Sequence, residues 1–322
     1  MLQQELISII MPVYNSEKYI KESVQCILDQ TYSNYEFIII DDGSIDKSVV
    51  IIKRFKDSRI RLFECEHKGI VKQLNYGLNI AKGKYIARMD ADDLCNKNRL
   101  KMQIDYLVNN SNILLVGTNY YYINSNNKII SKKKLPEYHE DIEFMMPINA
   151  SILHPTILTY KSVFDEVGSY KEEFWLAEDH ELFLRMLKYN IRCYNIQNFL
   201  YSYRNHSSST SFKFETQAVK ASYRYGSDYI NYKYDKNSYE FIFSMGLIEY
   251  YKGDIKQARK LFKQAKSHTL SNTIIWRYLF FTYLGNKLIN LLRSKKILWK
   301  LSLFVNKVFL IDFNIIKKKI FI

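Results

Sequence analysis

The chain has 322 residues, 47% of them hydrophobic, which is enough to bury a sizeable core and excludes a disordered or repeat-dominated protein. Its formal net charge of +14 favours an anionic partner such as a phosphorylated substrate, nucleic acid or an acidic membrane surface. Ten basic residues and one acid follow Leu270, so the rest of the chain is only mildly basic, which argues against a nucleic-acid groove there.

The cysteines stand far apart, without the spacing of a zinc site or of a disulfide framework. No basic and apolar leader follows Met1, and no apolar run reaches the roughly 18 residues of a membrane span. We therefore expect a cytoplasmic protein, which a basic tail would allow to lie peripherally on the inner face of the plasma membrane.

Strands and helices alternate along the first 116 residues. Short apolar runs are typical of strands buried on both faces of a parallel sheet, and apolar residues at helical spacing follow them. Ser16 is placed to cap the first helix. The predicted strands are residues 6–11, 37–40, 60–63, 85–89 and 113–116, and the predicted helices are residues 20–28, 49–55, 70–81 and 100–108. This alternation predicts a doubly wound, mostly parallel α/β sheet.

Acidic side chains follow two of these strands. Asp41 and Asp42 end the second strand, and Asp90, Asp92 and Asp93 follow the fourth. Parallel strands present their carboxyl ends at one edge of the sheet, where ligands bind, so these acids should meet there. Oxygen ligands favour a hard cation, which predicts a Mn²⁺ or Mg²⁺ site. A solvated acidic loop is the alternative, and Asp93 fits a helix cap.

The alternation weakens after about residue 120. The polar sequence 124–127 lies between two short apolar segments, 120–123 and 128–130, which predicts a hairpin. A strand at 152–158 and a short helix at 161–167 are expected to follow. Glu178 and Asp179 then open a longer helix, where acids are an ordinary structural device and are also well placed to act as a base.

The last part of the chain is predicted to be a helical region, residues 214–322, separate from a first domain of residues 1–213. Residues 246–265 have the spacing of one tetratricopeptide-like helix pair, which an ordinary helical hairpin also explains. Residues 288–322 interleave apolar side chains with lysines. That pattern is typical of a basic amphipathic helix on an anionic membrane, or of a helix that packs on its own domain with snorkelling lysines.

Several blocks between residues 7 and 211 carry a family signature in their order. They are Ile9-Ile10-Met11-Pro12-Val13-Tyr14-Asn15, Asp41-Asp42-Gly43-Ser44 with Asp46, Ala87-Arg88-Met89-Asp90-Ala91-Asp92-Asp93 with Arg99-Leu100, His154-Pro155-Thr156, Glu178-Asp179 and Tyr203-Arg204-x-His206. In these blocks the chain resembles the family 2 glycosyltransferases, inverting GT-A-fold enzymes that use nucleotide-sugars, among them members that build bacterial surface polysaccharides. Two positions depart from the pattern: His67 stands where many relatives have asparagine, and Lys97-Asn98 replaces the usual proline.

The resemblance implies a role for each block. Pro12, Val13 and Tyr14 would line the base pocket, and Asp42 would accept a hydrogen bond from the ring N–H of a uracil-like base. Asp90 would face the ribose or the metal, Asp92 would bind the cation that bridges the diphosphate, and Asp179 would be the catalytic base. Further contacts with the donor or its diphosphate are expected from Glu178, Arg88, His154, Arg204 and His206, although Arg204 and His206 also fit an aromatic-polar loop without a role.

These roles predict a metal-dependent, hexosyl- or N-acetylhexosaminyl-type transferase. It would move a sugar from a nucleotide-diphosphate donor, a UDP-sugar in our hypothesis, to a hydroxyl of a lipid-linked or oligosaccharide acceptor, and no nucleic-acid partner is expected. A sugar-nucleotide pyrophosphorylase is one alternative, but the loop after the first strand lacks the glycines that such an enzyme needs. A catalytically inactive scaffold is another, against which the presence of Asp42, Asp92 and Asp179 argues.

Overall fold

The computed structural model describes residues 5–206 and 215–268, together with positions 275, 278, 279, 282 and 283. The chain divides into two compact units, Met1–Gly226 and Ser227–Ile322. The predicted boundary at residue 213 and the predicted basic tail, 288–322, lie outside the described residues. Within the described ranges, no helix is both long and apolar enough to cross a membrane.

The first unit is built on one sheet, which has nine strands within the described residues. They are β1 (Ile7–Val13), β2 (Tyr35–Asp41), β3 (Ile60–Glu64), β4 (Tyr85–Arg88), β5 (Leu94–Cys95), β6 (Leu115–Ile123), β7 (Ile129–Lys133), β8 (Leu158–Tyr160) and β9 (Cys193–Arg204). Their spatial order is β3-β2-β1-β4-β8-β6-β9-β5, and β7 pairs with β6. The predicted α/β class is confirmed.

The direction of the strands explains where a ligand site lies. β1 pairs in parallel with β2 on one side and with β4 on the other, and β2 pairs in parallel with β3. β8 runs antiparallel to both β4 and β6, whereas β6 and β9 are parallel. The chain winds outward from β1 to β3 and then returns to β4, so the strand order reverses beside β1. In open α/β sheets ligands bind at such a reversal, beyond the carboxyl ends of the strands.

Helices cover the sheet and bury its isoleucine-rich strands. Ile9, Phe37 and Ile39 are fully buried in the core, against which the first helix packs Ile20 and Val24. The helices of this part of the chain are α1 (Ile20–Leu28), α2 (Ser48–Ile52), α3 (Ile70–Ile80), α4 (Arg99–Asn109), α5 (His139–Met145), α6 (Lys161–Val167) and α7 (Glu178–Lys188). The next helix, α8 (Glu215–Lys233), begins before the unit boundary at Gly226 and ends after it.

Three local predictions are wrong. Ser16 does not cap the first helix, because α1 follows Tyr19 and has no side-chain cap. Segments 113–116 and 120–123 belong largely to one strand, β6. Residues 152–158 are not a strand, because His154–Thr156 form a short 3-10 helix in which the Thr156 hydroxyl donates to the Leu153 carbonyl at 2.7 Å. The predicted hairpin at 124–127 is observed between β6 and β7.

The second unit contains a helical hairpin made of α9 (Tyr239–Lys252) and α10 (Ile255–His268). Ser238 caps α9 by accepting the Phe241 N–H at 3.1 Å. The two helices approach closely at Gly246, where a Cβ atom would lie 2.7 Å from the ring of Phe262. The predicted helix pair is therefore present, with a glycine at its closest approach.

Candidate active site

The ends of three neighbouring strands, β1, β2 and β4, define one edge of the sheet. Val13 lies opposite Asp41 across β1 and β2, and Ile10 lies opposite Arg88 across β1 and β4. The ends of these strands and the segments that follow them carry the predicted base-binding residues and both acid groups. The sequence therefore predicted correctly that these groups meet at one edge.

Only Tyr14 of the three predicted base contacts lies beyond the end of β1. The Val13 side chain is part of the hydrophobic core and 1% exposed, so a contact of Val13 with a base would come from its backbone, and its place in a base pocket stays a prediction. Pro12 is partly buried within the strand. Tyr14 is about half exposed, and its ring stacks on the His67 imidazole with the ring centroids 4.3 Å apart.

The Asp42 carboxylate is buried and held by the segment that leads into α3. It accepts the backbone N–H of Lys68 at 2.8 Å and that of Gly69 at 3.0 Å. The Gln73 side-chain amide donates to the same carboxylate, and His67 Nδ1 lies 2.9 Å from Asp42 Oδ2. Because a carboxylate offers about four acceptor positions, an incoming N–H donor must replace one of these partners.

The acidic residues after β4 form one cluster. Single carboxylate oxygens of Asp90, Asp92 and Asp93 all lie within 4.8 Å of one another. Arg88, the last residue of β4, forms an ion pair with Asp90, and His206 Nε2 lies 2.8 Å from Asp92 Oδ2. The side chains of Asp90 and Asp92 are 25% and 29% exposed, whereas Asp93 is buried.

This cluster is suited to a divalent cation. Burial raises the pKa of Asp93 well above its ordinary value, and the charges of Asp92 and Asp90 raise it further. Burial also raises the pKa of Asp90, an effect that Arg88 opposes. Carboxylates that repel each other at this spacing offer the oxygen ligands that hard cations prefer. The residues therefore fit Mn²⁺ or Mg²⁺, with Asp90 and Asp92 as the accessible ligands.

Asp93 holds the acid segment in place. Its Oδ1 accepts the backbone N–H of Arg204 at 2.6 Å, and its carbonyl oxygen accepts the Ser23 hydroxyl of α1 at 2.7 Å. A second contact with α1 follows two residues later, where the sulfur atoms of Cys26 and Cys95 are 3.5 Å apart. The prediction of a helix cap at Asp93 is wrong, because α4 begins only at Arg99.

Arg204 ends β9, so the predicted aromatic-polar loop is in fact a strand up to this residue. Its side chain is fully buried, and Nε donates to the Asp92 carbonyl at 2.5 Å while Nη1 donates to the Asn124 carbonyl at 3.3 Å. The guanidinium also lies over the Tyr19 ring, 4.4 Å from its centroid. These contacts join β9, the β6–β7 turn and the acid segment, which suits a residue that positions the acids.

The amino-terminal end of α7 faces the acid cluster. Asp179 Oδ1 accepts the backbone N–H of His180 at 2.7 Å. Burial and the neighbouring charge of Asp179 raise the pKa of Glu178 to about 8, so Glu178 retains its proton near neutral pH. Burial is the main cause that raises the pKa of Asp90, and the charge of Asp179 raises it further. The two groups of acids are therefore close enough to interact.

His154 lies beside Arg88 in the interior of the site. Its Nε2 is 2.6 Å from the hydroxyl oxygen of Tyr170. Burial, together with the charge of Arg88, lowers the pKa of His154 well below its ordinary value, so the imidazole is neutral. Arg99 joins the two segments, because its guanidinium donates to the Pro155 carbonyl at 2.9 Å and to the Arg88 carbonyl at 3.1 Å.

The arrangement is suited to the displacement of an anionic leaving group. The acid cluster after β4 can hold a cation where negative charge develops on the leaving group. Electrostatic stabilisation of this developing charge is usually the largest single contribution to catalysis of such a reaction. A second carboxylate, on α7, is placed on a different element and is able to accept a proton from an attacking hydroxyl. The fold thus brings the chemistry of leaving-group stabilisation and of general base catalysis to one edge.

A family comparison decides the class of the protein. The model described as "Glycosyl transferase family 2" matches residues 8–168, which include β4, the acid cluster and Asp42. The chain belongs to glycosyl transferase family 2. The family predicted from the ordered sequence blocks is therefore confirmed, and the protein is a glycosyltransferase.

Two relatives each match about two thirds of this family 2 chain. It is 36% identical over 213 residues to the O-antigen biosynthesis glycosyltransferase WbnJ of Escherichia coli, a match that covers 64% of this chain and 82% of that protein. It is also 36% identical over 211 residues, 64% of this chain and 79% of the relative, to the UDP-Glc:alpha-D-GlcNAc-diphosphoundecaprenol beta-1,3-glucosyltransferase WfgD of Escherichia coli.

A solved structure supports the GT-A fold. The mannosyltransferase PcManGT from Pyrobaculum calidifontis, in complex with GDP-Man and Mn²⁺, superposes with a TM-score of 0.55 and covers 88% of both chains. Its sequence identity to this glycosyltransferase is 14%, so the likeness concerns the fold alone.

Two residues of the glycosyltransferase site carry no signal in the sequence. Gln73 contacts Asp42 from the second turn of α3, and Tyr170 contacts His154 from the segment before α7. Asn75 holds the Tyr170 backbone by donating to its carbonyl at 2.8 Å and accepting its N–H at 3.0 Å. The partners are distant in sequence, so only the fold identifies these contacts.

Proposed function

We propose that this glycosyltransferase is a metal-dependent, inverting enzyme of surface polysaccharide assembly. It transfers a hexosyl or N-acetylhexosaminyl group from a UDP-sugar to a hydroxyl of a lipid-linked or oligosaccharide acceptor. The observation that carries the proposal is the acid cluster of Asp90, Asp92 and Asp93 with Asp179 in electrostatic contact at the same edge of the sheet.

The donor side of the site uses the residues around β1, β2 and β4. Tyr14 provides the aromatic face for the base, next to Pro12, and Asp42 accepts the ring N–H of uracil. Asp90 and Asp92 hold Mn²⁺ or Mg²⁺, and Asp90 also faces the ribose. A bound cation supplies positive charge that stabilises the departing diphosphate.

The acceptor side uses the acids of α7. Asp179 takes the proton of the attacking hydroxyl, and a positioned base of this kind contributes on the order of 10²–10⁴-fold to the rate. Glu178, which keeps its proton near neutral pH, is able to donate a hydrogen bond to the donor sugar or its diphosphate. Attack from the face opposite the leaving group inverts the anomeric carbon.

The charged groups around these acids have supporting roles. Arg88 orients Asp90 through their ion pair, and neutral His154 lies beside Arg88. His206 lies against Asp92 and approaches the cation or the diphosphate from the end of β9. Arg204 acts on the diphosphate only through the acid segment that it holds.

The names of the relatives support the choice of donor and acceptor. WfgD is named for a UDP-Glc donor and a diphosphoundecaprenol-linked acceptor, and WbnJ for O-antigen biosynthesis. The Mn²⁺ in the PcManGT complex supports the choice of metal, although its donor is GDP-Man. The basic tail at 288–322, outside the described residues, is proposed to hold the enzyme on anionic lipid near such an acceptor.

A donor panel tests the proposal. UDP- and GDP-sugars are incubated with the protein, with and without Mn²⁺, and nucleoside diphosphate release and transfer to a lipid-diphosphate sugar acceptor are measured. We expect Mn²⁺-dependent turnover of a UDP-sugar with inversion at the anomeric carbon. If no nucleotide-sugar is cleaved, the scaffold hypothesis is favoured, whereas pyrophosphate exchange into a nucleotide-sugar would favour the pyrophosphorylase hypothesis, against which family membership argues.

The membrane part of the proposal has its own test. A protein truncated before Leu270 is compared with the full chain for co-sedimentation with vesicles that contain anionic phospholipid. We expect the truncated protein to bind less than the full chain. The difference between the two should be larger at low salt, where surface charges are least screened. Equal binding of the two proteins would show that the tail does not hold the enzyme on lipid.

A further inference from the structure

The ring of His67 occupies a position between the two groups proposed to bind the base. On one side it stacks on Tyr14, with centroids 4.3 Å apart and ring planes inclined by 23°. On the other side its Nδ1 lies 2.9 Å from Asp42 Oδ2 and 3.0 Å from the Asp42 carbonyl oxygen. A flat ring with a polar nitrogen directed at Asp42 reproduces the two contacts that a nucleotide base would make.

There is no room for a base between Tyr14 and His67 in this arrangement. A base inserted between the two rings would have to stack on both, which needs roughly twice the observed centroid separation of 4.3 Å. The remaining acceptor positions of Asp42 are already used by the backbone N–H groups of Lys68 and Gly69 and by Gln73. A base therefore reaches Asp42 only if the imidazole leaves.

The backbone at His67 is fixed, so the side chain has to make this movement. A Cβ atom at Gly43, which has a φ of +72°, would lie only 2.9 Å from the His67 nitrogen, which shows how closely the two segments pack. The N–H groups of the next two residues are bound to Asp42. The His67 side chain, by contrast, is 57% exposed and is free to rotate toward solvent.

We propose that His67 fills the base site of the nucleotide-free enzyme and that the base of the donor displaces it, taking over both the Tyr14 face and Asp42 Oδ2. This inference rests on the proposed nucleotide-sugar function. It also defines the class of base, because the group that replaces the imidazole must present a ring N–H to a carboxylate. Uracil and guanine have such an N–H, whereas the corresponding ring nitrogen of cytosine carries a lone pair that Asp42 repels.

His67 therefore lowers the apparent affinity for the donor. A ligand that binds only the open form has its affinity reduced by the fraction of protein in that form. The closed form is held by one stacked pair and one hydrogen bond, each of which makes a modest net contribution, and the loss of rotamer freedom of the exposed side chain offsets part of their sum. Removing the ring should therefore tighten UDP binding about three- to tenfold.

Isothermal titration calorimetry with UDP and Mn²⁺ on the full chain tests this inference. His67→Ala is expected to bind UDP about three- to tenfold more tightly than the wild type, while Tyr14→Leu, which removes the stacking face used by both rings, is expected to bind it more weakly. Thermal unfolding of each ligand-free variant checks that the fold is kept. CDP is expected to bind the wild type more weakly than UDP.

Each other outcome has a distinct meaning. Unchanged or weaker UDP binding by His67→Ala would overturn the inference and make His67 a second wall of the base pocket. Equal affinity of the wild type for CDP and UDP would overturn the inference that the base must present a ring N–H to Asp42. If neither the wild type nor His67→Ala binds UDP or GDP, the proposed function itself fails, and this inference fails with it.

Discussion

Replacing Arg204 with methionine tests whether this side chain positions the acid cluster or meets the diphosphate directly. Methionine keeps much of the length and apolar volume but removes every hydrogen-bond donor. The Asp92 carbonyl oxygen, which accepts from the guanidinium at 2.5 Å, then loses this partner, while the Asn124 carbonyl, which accepts from it at 3.3 Å, keeps the Asn127 N–H at 3.1 Å. The ion pair with Glu22 contributes little, because the Glu22 side chain is 50% exposed.

The burial of Arg204 sets the size of the effect. Its side chain is 0% exposed, and its loss leaves the Asp92 carbonyl without this donor, at about 1–3 kcal/mol, and removes the cation–π contact with Tyr19, at about 0.5–2 kcal/mol. The sum of about 1.5–5 kcal/mol is a large part of the roughly 5–15 kcal/mol that stabilises a typical domain. Since 1 kcal/mol shifts the midpoint of a domain of this size by about 2–4 °C, we expect the Tm of the first unit to fall by roughly 3–20 °C.

Differential scanning calorimetry of the ligand-free protein measures this fall. Arg192→Met is the matched control, because Arg192 pairs with Glu140 at 2.7 Å and both side chains are exposed, at 41% and 44%. An exposed pair contributes about 0–1 kcal/mol, so the control should unfold within a few degrees of the wild type. An unchanged Tm of Arg204→Met together with a raised KM for the donor would refute the positioning role and assign Arg204 to the diphosphate.

Three further substitutions separate the roles at the site. Asp92→Asn should abolish the Mn²⁺-dependent part of donor binding, measured by titration with and without the metal, and wild-type affinity would remove Asp92 from the cation site. Asp179→Asn should keep donor binding and lower transfer by roughly 10²–10⁴-fold, and normal turnover would exclude it as the base. Glu178→Gln should flatten the pH dependence of Tm. The pKa of Glu178, about 8 in the folded protein, lies above its unfolded value, so the native state binds the extra proton between about pH 4.5 and 8 and loses stability as pH rises. Parallel pH curves for the two proteins would contradict this.

The location of the site could be predicted because its signals are local in sequence. A buried apolar run followed by acids marks the end of a parallel strand, and the geometry of such sheets places all these ends at one edge. The positions of Asp42 and Asp90 at this edge follow in this way without any knowledge of their partners. The family was predicted from several sequence blocks, because several weak motifs rarely occur in the same order by chance.

The supporting contacts were not predicted because their partners are distant in the chain. Strand β9 was not predicted, because polar residues interrupt its apolar pattern. One of these residues, Asn195, is buried and donates to the Pro136 and Ser151 carbonyls. Without that strand, Arg204 could not be placed beside Asp92. The same limit applies to Asp93, whose burial depends on α1 and β9 and not on its neighbours in sequence.

The charges held around the acid cluster explain why cation and donor should bind together. Asp90 and Asp92 carry the accessible carboxylates and Arg88 pairs with Asp90, which leaves one net negative charge, while burial and these two neighbouring charges raise the pKa of Asp93 well above its ordinary value. A divalent cation reverses the sign to one net positive charge, which attracts a diphosphate that the empty cluster repels. Positive coupling must then be reciprocal, so Mn²⁺ should tighten UDP binding by the factor by which UDP tightens Mn²⁺ binding. Independent binding of the two, measured by calorimetry in either order, would mean that Arg88 already neutralises the acids as far as the diphosphate is concerned.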